Sequence, residues 1–111
     1  MPQTSPSLFG ARMRAARQMT DLPQDRLGVL IGLDEMCSSA RISRYEGGVH
    51  EPPFKTAERI AAALNVPVAY FYCPDETLAQ LLLVSARLPK PEQERLLALA
   101  QERLAGVEQA R

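Results

Sequence analysis

Apolar residues along this chain recur at spacings of three and four, and no sustained run alternates apolar with polar. That is the period of helices, not strands. Phe9, Met13 and Ala16 make the first stripe, in a segment ending near Met19. Ser5-Pro6 predicts its start, with Ser5 as cap and Pro6 in the first helical position, where a missing N–H matters least. A second helix is predicted over 24–31, with Leu27, Leu30 and Ile31 inward, Pro23 before it and Gly32 as its stop. Residues 34–37 read as loop. Ser38 can accept a bond from an unpaired backbone N–H and is expected to cap a third helix, over 38–47. That helix turns Ile42 and Tyr45 inward and stops at Gly47-Gly48. Pro52 and Pro53 interrupt the next stretch. A fourth helix fits 55–64, with Ala57, Ile60, Ala61 and Leu64 on one stripe and Asn65 as its stop. A short fifth, over 68–72, offers Val68 and Phe71 to the core before Cys73-Pro74 breaks the chain.

Two further helical patterns follow, over 75–88 and from 91 to about 107, separated by Pro89-Lys90-Pro91. Leu78, Leu81, Leu82 and Leu88 share one side of the first. Leu96, Leu97, Ala100 and Leu104 share one side of the second, with Glu94, Arg95, Glu102 and Arg103 opposite. A hairpin of these two helices would still leave leucines in water, so a second copy of the chain is expected to cover them. The expected fold is therefore all-α: a five-helix domain over 8–73, a flexible lead-in over 1–7 and a C-terminal helical hairpin over 74–111 that makes the protein a homodimer.

Composition narrows the function. At 111 residues and 46% hydrophobic, the chain suits one globular domain with an appendage. No apolar run approaches the roughly 18 residues of a membrane span, and residues 1–7 carry neither positive charge nor an apolar core. A cytoplasmic protein without membrane contact is expected. The spacing of Cys37 and Cys73 is wrong for CxxC redox chemistry and too poor in ligands for a zinc site, so both are read as free thiols, with a redox sensor as the alternative because Cys37 falls beside the third helix. With one histidine, no phosphate loop, no HExxH and no GxSxG, no enzyme, cofactor or metal is expected. Net charge is zero, yet the charges are segregated. Arg12, Arg14 and Arg17 sit without an acid between Leu8 and Met19, Arg41 and Arg44 form a second cluster, and Glu92, Glu94, Glu102 and Glu108 gather in the tail.

The stretch from Leu22 to Gly48 carries the functional signal. Two short helices cross closely only if the residue at the crossing is small, which Gly28 satisfies. Such a pair presents the outward side of its second helix to a DNA groove. The outward positions are Ser39, Ala40, Arg41, Ser43 and Arg44, short side chains plus two arginines. Short side chains allow close approach to base edges, and arginine can donate two bonds to guanine O6 and N7.

Over roughly residues 9–72 the order of residues resembles the Cro and lambda-repressor-like (XRE) helix-turn-helix family. Phe9-Gly10, Met13 and Arg17 match its first helix, and Leu22, Gln24 and Leu27 its second. Ile42-Ser43-Arg44-Tyr45-Glu46 followed by Gly48 matches the family's I-S-x-x-E-x-G, and Pro52, Ile60-Ala61, Leu64, Val66 and Phe71 match its closing helices. The chain departs from the pattern twice. Pro23 stands where the family has a capping Thr or Ser, and ten positions instead of six separate Gly32 from Ile42. The four extra residues, within 33–37, are expected to lengthen the turn.

The resemblance implies a lambda-repressor-like fold and a sequence-specific, double-stranded DNA-binding regulator, a repressor, that reads the major groove with the 38–47 helix. Gln24 would contact a phosphate. Ser38 would head the DNA-binding helix, Ser39, Ala40 and Arg44 would face base edges, and Arg41 a base or a phosphate. Ser43, Gly48, His50 and Lys55 would lie along the backbone, while Arg17 and Glu46 would form a structural ion pair. The competing expectation is a protein-interaction module, antitoxin-like or an adaptor, that keeps the fold.

Overall fold

The computed structural model describes residues 7–110. Its elements are α1 (Leu8–Met19), α2 (Gln24–Leu30), α3 (Glu35–Glu46), α4 (Phe54–Leu64), a 3-10 segment (Val68–Tyr72), α5 (Glu76–Ala86) and α6 (Lys90–Ala110). No strand occurs among the described residues, and the all-α class read from the helical periodicity is the one found. No helix among them is long and apolar enough to cross a membrane.

The stripes assemble one core. Phe9, Met13 and Ala16 of α1 meet Leu27 of α2, Ile42 and Tyr45 of α3, and Ala57, Ile60, Ala61 and Leu64 of α4. The 3-10 segment closes it with Phe71 and also with Tyr70, both buried, while Val68 is only partly so. Phe9 and Phe71 pack with ring centroids 5.0 Å apart, tying the first element to the last of this group. Ser5 and Pro6 lie outside the described residues. Within them, Ser7 caps α1, its hydroxyl accepting from the Gly10 N–H at 3.0 Å.

The link between α2 and α3 departs from expectation. Gly32 does end α2: with φ at +94° it lets its own N–H reach the Val29 carbonyl at 3.0 Å and the Leu33 N–H reach Gly28 at 2.9 Å. Leu30, expected inward, is 62% exposed, because a helix of seven residues turns only one narrow side to the core and Leu27 occupies it. Residues 35–37 are helix, not loop. Asp34 is the cap of α3, its carboxylate accepting from the Met36 N–H at 2.9 Å. The four extra residues therefore do not lengthen the turn. They add about one turn of helix to the front of α3.

The C-terminal region divides. α5 turns Ala79 and Leu83 into the same core as α1–α4. Arg12 of α1 anchors it: the guanidinium donates to the Cys73 carbonyl from Nε and Nη2, at 3.0 and 2.9 Å, and pairs with the Glu76 carboxylate. α6, by contrast, buries none of its 21 residues. It meets α5 around Leu81, Leu82, Leu96 and Leu97, where Gln93 donates to the Ser85 carbonyl at 2.8 Å.

Candidate nucleic-acid interface

The inward side of α3 fixes how its outward side is presented. Ser38, Ile42, Tyr45 and Glu46 are its buried residues. Ser38 faces Gly28 so closely that a Cβ built on the glycine would lie 1.8 Å from the serine Oγ. Its hydroxyl donates to the Asp25 carbonyl of α2. Ser38 therefore neither caps α3 nor heads a DNA-contacting surface. It is fully buried at the α2–α3 crossing, because the added turn moved the start of the helix ahead of it.

Glu46 is the second anchor. Its side chain is fully buried, and a buried carboxylate is stable only with partners. Arg17 supplies two bonds, from Nε to Oε2 and from Nη2 to Oε1 at 3.0 Å, and its third nitrogen donates to the Leu22 carbonyl. Arg14 adds a contact at 3.4 Å and Gln24 a bond at 3.1 Å, neither assigned to Glu46 from the sequence. The i, i+3 spacing of Arg14 and Arg17 is the signal that could have found the second cation. The arginines of α1 that looked like a basic cluster are thus turned inward, Arg14 and Arg17 to Glu46 and Arg12 to the start of α5.

What remains outward is short-chained and basic. Ser39, Ala40, Arg41, Ser43 and Arg44 are exposed along α3. Gln24, half-buried at the head of α2, is held from below by Glu46 and accepts from the Ser39 hydroxyl at 3.5 Å. Arg41, Arg44, Tyr45, His50 and Glu51 line one surface hollow between α3 and the loop after it. Gly48, with φ at +78°, makes that loop leave α3 sharply and carries His50 back beside the arginines. Lys55 is exposed in the first turn of α4 and does not line this hollow. Cys37 is an exposed thiol within α3, and among the described residues no three of His, Cys, Asp and Glu gather as a metal site.

Comparison with known proteins agrees with this geometry. A model of the helix-turn-helix domain family matches residues 8–70, from the start of α1 into the 3-10 segment. Two proteins named as uncharacterized HTH-type transcriptional regulators, from Sinorhizobium medicae and Rhizobium meliloti, are each 32% identical over 63 residues, 57% of this chain. The chain spans 42% of the length of those two relatives. The crystal structure of the transcriptional regulator BswR superposes with a TM-score of 0.83 at 39% identity, covering 87% of this chain and 96% of that one. The crossing of α2 and α3 on Gly28 and Ser38, the buried Glu46 and the match over residues 8–70 lead to one conclusion: the chain belongs to the helix-turn-helix domain family.

Proposed function

We propose that this protein is a sequence-specific, double-stranded DNA-binding transcriptional regulator of the Cro and lambda-repressor-like kind, working in the cytoplasm as a repressor. The observation that carries this reading is the outward side of α3: Ser39, Ala40 and Ser43 are short enough for close approach, and Arg41 and Arg44 stand among them. α3 enters the major groove. Arg44, Ser39 and Ala40 meet base edges, while Gln24, Ser43, Gly48, His50 and Lys55 follow the backbone and Arg41 serves either. The names of the relatives and of BswR support the regulatory role.

The same reading makes the protein a homodimer through α6. That helix is 21 residues long, about 31 Å, whereas α5 has 11 residues and spans about 16 Å. Leu104 and Val107, each 57% exposed, lie beyond the reach of α5, on the stripe begun by Leu96 and Leu97. A second α6 of matching length would cover them. Two reading helices on a two-fold axis suit half-sites about 34 Å apart or a multiple of that.

The test is titration of the full chain against duplex DNA at several salt concentrations, followed by selection from a random duplex pool. Binding should weaken with salt at a log–log slope of about −0.9 per phosphate neutralised, and one consensus should emerge. Absence of any salt-sensitive binding would favour the protein-interaction module. Sedimentation at micromolar concentration should show a dimer that Leu97→Glu with Leu104→Glu converts to monomer.

A further inference from the structure

Met36 is 95% exposed, more than any other large apolar side chain among the described residues. It lies in the turn of helix that the four extra residues add to α3. Counting along that helix, Met36, Ala40 and Ser43 follow at i, i+4 and i+7 and form one line, opposite the buried Ser38, Ile42 and Tyr45. The added turn thus prolongs the outward stripe by about 6 Å at its leading end.

We infer that Met36 is a specificity-determining residue, packing its side chain on the 5-methyl group of a thymine in the major groove. The inference rests on the docking of α3 proposed above. Charge narrows where the added turn can go. It carries Asp34 and Glu35 and no cation, so it has nothing with which to hold a phosphate, and in the proposed docking its contact is with base edges. The Asp34 carboxylate is already committed to the Met36 N–H, which leaves Met36 as the long side chain at that end of the stripe. Ala40 and Ser43 behind it are short and let the helix sink towards the bases. The one apolar group on the floor of the major groove is the thymine methyl. An unbranched thioether with three rotatable bonds adapts to its position.

Deoxyuridine in place of thymine removes that methyl and nothing else, which supplies the experiment. Each thymine of the selected site is replaced in turn, and binding of the full chain, of Met36→Ala and of Arg44→Ala is measured. Met36 packs against nothing in the fold, so Met36→Ala should melt like the wild type. The wild type should lose about fourfold in affinity at one thymine per half-site. Met36→Ala should bind the parent site as weakly as the wild type binds the deoxyuridine site, and should not respond to that replacement. Arg44→Ala should still respond. A wild type indifferent to every replacement, or a Met36→Ala variant that loses the same factor, overturns the inference and leaves the DNA-binding function standing. A chain that binds no duplex at all overturns that function, and the role of Met36 with it.

Discussion

Replacing Gly28 by alanine tests the geometry on which the presentation of α3 depends. The new Cβ would lie 1.8 Å from Ser38 Oγ, 2.8 Å from its Cβ and 3.0 Å from its Cα. Rotating the hydroxyl away relieves only the first contact and breaks its bond to the Asp25 carbonyl. The other two involve the body of α3, so the helices must separate. Overpacking of this kind costs about 1–3 kcal/mol, and the lost bond about 0.5–1.5 kcal/mol. Alanine returns about 0.5–1 kcal/mol through helix propensity. The balance is a destabilisation of about 2 kcal/mol, or a melting temperature lower by roughly 10 °C for a domain of this size. Gly106, in α6, is the control, since a Cβ there meets nothing within 4 Å. Gly106→Ala should be neutral or stabilise by up to about 1 kcal/mol. Urea denaturation followed by circular dichroism compares the two. A Gly28→Ala protein as stable as the wild type would refute the close crossing and the assignment of Ser38 to it.

Glu46→Ala leaves Arg17, Arg14 and Gln24 facing a vacated acceptor, and should destabilise by about 3–5 kcal/mol in the same assay; unchanged stability would remove its structural role. The hydrogen bond from Arg12, and secondarily that from Gln80, holds the Glu76 carboxyl below its ordinary range. Its folded pKa therefore lies under its unfolded one, so its contribution is complete above the unfolded value, about 4.3, and is lost as pH falls through the folded value. An NMR titration should find the Glu76 midpoint below that of an unstructured peptide, and a midpoint at or above it would deny the α1–α5 contact. Arg44→Ala should relax the selected consensus at one base pair per half-site, by about 1–3 kcal/mol each, and an unchanged consensus would displace α3 from the groove. Gln24→Ala should instead weaken binding about equally on all sequences, which a shift confined to one base pair would contradict.

The core was legible because it follows the helix period. Phe9, Met13 and Ala16, and Ala57, Ile60, Ala61 and Leu64, are read from spacing alone, and all are buried. The start of α3 was not. Asp34 and Ser38 are both good caps, and the apolar residues of the turn between them, Met36 and Cys37, are both exposed. No periodic signal marks it as helix. Ser38 is buried for a reason that lies ten residues away, at Gly28, and a pairing across two elements leaves no local trace. The outward residues of α3 could be named from the sequence because they are what remains once Ile42 and Tyr45 face the core. The direction of the α1 arginines could not, since long side chains on one helix can reach either solvent or a buried acid. Tyr70 was passed over because a 3-10 segment does not keep the period used to find the core.

α3 keeps the residues that hold the fold apart from those proposed to meet DNA. Ser38, Ile42, Tyr45 and Glu46 hold the fold, and Met36, Ala40, Arg41, Ser43 and Arg44 hold nothing inside it. The outward set is therefore open to redesign: exchanging it as a block, with the inward four retained, should yield proteins of unchanged stability and altered base preference. Ser39 is the exception. Its hydroxyl reaches Gln24, and Gln24 reaches the buried Glu46, so a substitution at this one outward position is felt within the core. A library built on α3 should vary the other five freely and leave Ser39 for last.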